Sequence, residues 1–196
     1  MLMLIWAKHL FRLLAGFRVL YGLSNATLFK VLFGLLLTSL AISAYANLEY
    51  VRTEERVAVS LVEGSGFHVS ILADDIMALA SSYNGDPDRT RFLVAEAMVN
   101  SKALATFSKA LYDLEGGEHY KKWYLVYGSL SVYFADLTGK EHPYIVNRLS
   151  EDGEALQRIA AILERAGSRV NPFEIQQEEL DNLVDLTRAL VTSGNG

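Results

Sequence analysis

The sequence predicts an all-α protein. It has an N-terminal amphipathic helix and one transmembrane helix, then a soluble bundle of about five to six helices. Three observations lead to this. The run from Val31 to Leu48 holds no charged residue. The composition favours helix, with only three prolines in 196 residues and many Ala, Leu and Glu. Beyond the run, apolar residues recur at intervals of three and four, the period of a helix with one buried side.

Charge divides the chain in the same places. The net charge is −5, yet residues 1–48 hold Lys8, Arg12, Arg18 and Lys30 and no acid, which leaves −9 on the remainder. Three segments follow: 1–26, a basic amphipathic segment at the membrane interface; 27–48, a transmembrane signal anchor; and 49–196, an acidic helical domain outside the cytoplasm. Phosphate binding needs clustered Lys and Arg, so an acidic domain argues against nucleic acid as a partner. The absence of cysteine excludes disulfides, thiol catalysis and thiolate metal sites.

In the first segment Met3, Trp6, Leu10, Leu13, Phe17 and Leu20 repeat at helical spacing, with Lys8, His9 and Arg12 on the other side. This is the pattern of a helix lying in the plane of a membrane interface. Trp6 and Phe17 would sit at the acyl boundary, and Lys8, Arg12, Arg18 and Lys30 toward anionic headgroups. Gly22-Leu-Ser-Asn-Ala reads as a turn, with Ser24 or Asn25 capping the next helix.

Val31 to Leu48 as a helix covers roughly 27 Å at 1.5 Å per residue, close to the roughly 30 Å of a bilayer core. Lys and Arg flank only its N-terminal end, which places the N-terminus in the cytoplasm. Ser43-Ala44-Tyr45-Ala46 before Asn47 also fits a signal-peptidase site. The basic segment before it, about 30 residues, is longer than such leaders carry, which favours an uncleaved anchor. Ser39, Ser43, Ala44 and Ala46 are small enough to let two spans approach.

The domain opens on an ambiguous stretch. Residues 56–71 fit a helix or a hairpin turning at Gly64-Ser-Gly66. Helix is preferred because Val69, Leu72, Ala73, Ile76, Leu79, Ala80 and Tyr83 form a continuous stripe. Asp86-Pro87-Asp88 starts the next helix as cap, first helical residue and first-turn acid. Its inward side reads as Phe92, Ala95, Val99, Ala103, Phe107, Ala110 and Leu114, and Gly116-Gly117 ends it. Glu118 to Leu137 has no charge between Trp123 and Ala135, so it reads as a central helix buried on all sides. A short helix to Leu149 is expected next. Ser150 then caps another helix ending at Gly167, and Asn171-Pro172-Phe-Glu174 caps the last.

Catalytic, cofactor and metal motifs are absent from this reading. The four histidines, His9, His68, His119 and His142, form no ligand spacing. His119 and His142 fall at opposite ends of one helix, some 30 Å apart. No Gly-x-Ser-x-Gly elbow or phosphate loop occurs. The acids Glu174, Glu178, Glu179, Asp181 and Asp185 read as a solvated face. The richest cluster is aromatic. Tyr120, Trp123, Tyr124 and Tyr127 form the candidate interaction face, since such rings favour sites with one buried and one wet end.

The leading expectation is therefore a single-pass membrane-anchored interaction or assembly module, an accessory subunit of a cell-envelope complex, with the lipid bilayer and a protein partner or second copy as partners. The alternatives are a secreted helical domain binding a hydrophobic or aromatic small molecule, and an enzyme with an unrecognised site.

Overall fold

The structure, a computed structural model, describes residues 25–82 and 86–193. Among these residues it is all-helical, with five helices: α1 (Asn25–Ser82), α2 (Pro87–Glu115), α3 (Glu118–Leu137), α4 (His142–Gly167) and α5 (Gln177–Ser193). The fold class is the all-α bundle that the sequence predicts. The described residues fall into two compact units, one up to Thr53 and one from Glu54.

In the first unit, every side chain from Phe33 to Leu48 is exposed. Leu36, Leu40 and Ile42 are each more than 60% accessible. Thr38 donates its hydroxyl to the Gly34 carbonyl at 2.9 Å, so this polar side chain is satisfied within its own helix. Lys30 is exposed. Trp6, Lys8, Arg12, Phe17 and Arg18, and the amphipathic helix expected to carry them, lie outside the described residues.

In the second unit, the remainder of α1 resolves the ambiguity of 56–71 as helix. Gly64-Ser65-Gly66, read as a hinge or turn, stays helical. Ser65 is buried, and its hydroxyl donates to the Val62 carbonyl at 2.6 Å. Val69, Leu72, Ala73, Ile76, Leu79 and Ala80 are buried, as their spacing requires.

α2 begins as predicted. The Asp86 carboxylate accepts from the Asp88 amide at 2.9 Å, and Pro87 takes the first turn. Gly116, at φ +73°, ends it by donating to the Tyr112 carbonyl at 2.8 Å. Only glycine adopts that backbone at little cost. The buried side differs from the expected one. Phe92 and Val99 are 63% and 58% exposed, and Val94, Ala97, Leu104, Ala105 and Leu111 are buried with Thr90, Asn100, Ser101 and Ser108. The helix carries two apolar stripes, and the one with the smaller residues faces the core. Ser101 and Ser108 donate to their own helix backbone, at Met98 and Leu104, so their burial leaves no hydroxyl unpaired.

α3 has the predicted bounds but a single buried side: Tyr120, Trp123, Val126, Tyr127, Leu130, Tyr133, Phe134 and Leu137. It packs on α2 and α5. Tyr124, Leu125 and Val132 are exposed, which corrects the reading of a helix buried all round.

α4 is one helix where two were expected. Ser150 lies exposed within it and does not restart the chain. The buried series Ile145, Leu149, Leu156, Ile159 and Leu163 runs straight past it. Arg148 fastens α4 to the end of α5. Its guanidinium lies 3.1 Å from the Asp152 carboxylate and donates to the Leu190 carbonyl at 2.8 Å. At its other end α4 closes on α1, where a Cβ on Gly167 would come within 2.7 Å of the Ser70 hydroxyl.

Asn171-Pro172 does not cap the last helix. Asn171 accepts from the Phe173 amide at 3.0 Å, and its own amide donates to Glu174 at 3.1 Å, which closes a local turn before α5 starts at Gln177. Phe173 is buried, and its carbonyl accepts from the Trp123 indole at 2.9 Å. Tertiary anchoring of Phe173 prevails over the capping motif.

Leu130 is fully buried, so Leu130→Ala is expected to cost about 2–5 kcal/mol. Val132→Ala, on the exposed side of the same helix, should stay within about 0.5 kcal/mol. Thermal unfolding of the full-length chain in mild detergent measures both.

Candidate functional site

The structure divides the four aromatic candidates. Tyr120, Trp123 and Tyr127 are 4%, 0% and 0% exposed, whereas Tyr124 is 41% exposed. Trp123 and Tyr127 stack with ring centres 5.1 Å apart, and Phe173 meets Trp123 and Tyr120 edge-on. Burial pushes the Tyr120 hydroxyl up to about 12 and the Tyr127 hydroxyl well above its ordinary value. Both remain neutral at physiological pH. Three of the four rings are thus packed in the chain's own core, and Tyr124 alone of the four reaches the surface. The physical reason is rotational. Phe173, from the turn before α5, covers the side of α3 that the sequence left open.

The unpartnered apolar positions lie elsewhere. Phe92 and Val99 stand seven residues apart on α2, opposite its buried side. Leu125 and Val132 stand seven apart on α3, with Tyr124 beside them. Seven residues is two helical turns, so each pair shares a face. The sequence contained this signal as a second apolar stripe on α2. Assigning Phe92 and Val99 to the core concealed it.

A second constellation joins α1 and α2 and is polar. His68 Nδ1 lies 2.8 Å from the Asn100 side-chain oxygen. That oxygen only accepts, so Nδ1 carries the proton. Asn100 lies beside Asp75 in the same contact. Asp75 is 5% exposed, and its Oδ2 is buried with no hydrogen-bond partner. Burial raises the Asp75 carboxyl from 3.8 to about 7; Glu96 and, more weakly, Asp74 add to the rise, and Asn100 opposes it. The His68 ring meets Phe67 and Phe107 edge-on, at 5.9 and 5.7 Å. Sequence reasoning singled out only His68 of this group. The other members are ordinary helix residues, and packing alone brings them together.

The relay supplies an oriented imidazole and a buried acid. Among the described residues no hydroxyl or amine nucleophile is hydrogen-bonded to His68, so it lacks a partner for group transfer. His119 lies against Tyr120 with the rings tilted at 40°, and His142 begins α4 beyond the far end of α3; the structure does not bring them together. Among the described residues no group of three or more His, Asp or Glu is placed to hold a metal ion.

No family model matches the chain, and neither a curated protein nor a solved structure does.

Substitutions separate the core rings from the rim ring. Tyr127→Ala should cost about 3–5 kcal/mol, as for a deleted core aromatic. Tyr124→Ala should cost less than about 1 kcal/mol. Denaturant unfolding of the full-length chain in mild detergent should show the first midpoint fall sharply and the second barely move.

Proposed function

We propose that this chain is a single-pass membrane-anchored interaction module. Its N-terminus is cytoplasmic, and its acidic helical domain lies outside and engages a protein partner. The observation that carries the reading is the stretch Phe33–Leu48, helical and exposed on every side. Each large apolar side chain left in water forgoes roughly 1.5–3 kcal/mol of burial. A run of this kind demands an apolar environment that the described residues do not supply. By length and composition α1 is also the one helix among the described residues that suits a membrane span. The four cations of residues 1–48 support the orientation.

The partner-binding half rests on Phe92 and Val99 of α2 and on Leu125 and Val132 of α3. A seven-residue apolar repeat suits a partner helix laid along one such line.

Protease added to intact cells, or to spheroplasts where an outer membrane exists, should digest the domain and spare the N-terminal tail. Protection of the domain with the tail accessible would reverse the orientation. Val99→Asp and Val132→Asp should leave the melting temperature nearly unchanged while removing co-purifying protein from a mild-detergent extract. Retention of that protein by both variants would refute this docking surface.

A further inference from the structure

We propose that the contact between α1 and α2 is a pH-sensitive latch, closed when the Asp75 carboxyl is protonated and loosened when it ionises. The geometry has three parts. Asp75 is buried in the helix–helix contact, with one oxygen without any partner. Asn100, from the opposite helix, lies beside it and pairs with His68 at the edge of the contact. The charges that act on Asp75 most strongly are both acidic, Glu96 on α2 and Asp74 on α1, with no cation among them. α4, which meets α1 at Ser70 through Gly167, contributes no charge to that set.

A neutral carboxyl suits this place. A carboxylate would have a buried bare oxygen and two like-charged neighbours, which disfavours closure. The direction follows from linkage. The folded chain binds the proton more tightly than the unfolded chain, whose value is near 3.8. Closure is therefore fully favoured below that value, weakens as pH rises and reaches its lowest level above about 7. One linked proton changes the opening constant by at most about tenfold per pH unit across that window.

Hydrogen exchange of the full-length chain in mild detergent, from pH 5 to pH 8 and corrected for intrinsic rates, provides the test. Amides of residues 69–80 should lose protection as pH rises, while those of α3 serve as the internal reference. Asp75→Asn, which keeps the shape and removes the charge, should flatten that loss relative to the wild type. Glu96→Gln removes a like charge without touching the relay, and should move the midpoint to lower pH. A wild-type profile matching that of Asp75→Asn would overturn the latch. Should Asp75→Asn fail to fold, an unmoved midpoint in Glu96→Gln would overturn it equally.

Discussion

The domain depends on how the buried side of α3 is closed. Trp123 sits at the centre of that side. Its indole ring stacks on Tyr127 and meets Phe173 edge-on, and its N–H donates to the Phe173 carbonyl at 2.9 Å. The hydrogen bond reaches across fifty residues, so it fixes the turn between α4 and α5 against α3. A buried indole N–H left unpaired would cost about 1–3 kcal/mol. The turn that meets this need also brings Phe173 over Tyr120 and sets where α5 starts. The outer ion pair of Lys122 with Asp181 joins α3 to α5 on the same flank. It is largely exposed, so packing around Trp123 dominates the closure.

The helices were legible in the sequence where the signal was local. The Asp86-Pro87-Asp88 cap and the Gly116 stop each act through one or two backbone hydrogen bonds and appear as predicted. The bounds of α3 follow from the glycines before it and the loss of apolar residues after it. What could not be read was set by distant partners. Asn171-Pro172 has the residues of a helix cap, yet Phe173 is drawn into the core and the turn closes on itself. Ser150 resembles a restart, yet the buried face of α4 continues through it.

The same distinction governs the candidate sites. Periodicity states that a helix has a buried side but not which of two comparable stripes it is. On α2 the choice went to the stripe with Ala97, Ser101, Ala105 and Ser108. Small residues let helix backbones come closer, and hydroxyls returned to their own helix make that side less polar than its composition suggests. Phe92 and Val99 were left outside as a result. Tyr120 and Trp123 went the other way, because the ring that meets them comes from a turn about fifty residues downstream. The relay of His68, Asn100 and Asp75 had no sequence signature. His68 and Asp75 share a face of α1, but Asn100 joins them only when α1 and α2 meet.

The two kinds of exposed apolar surface differ in a way that bears on what could cover them. Around Phe33–Leu48 the exposure carries no charge on any side, and its few polar side chains, Thr38, Ser39, Ser43 and Asn47, are uncharged. A surface without charge in any direction suits an environment that excludes charge in all directions, as the interior of a bilayer does. On α2 and α3 the exposed apolar residues form single lines. They are interrupted by charged neighbours such as Lys102 and Lys121, which are themselves exposed. A line of that kind cannot enter lipid without carrying those charges with it, at about 3 kcal/mol each at the bilayer centre. It can be covered by a helix that contacts the line and leaves its flanks in water. Under the proposed function, the first surface is the one suited to a membrane and the second the one suited to a protein partner.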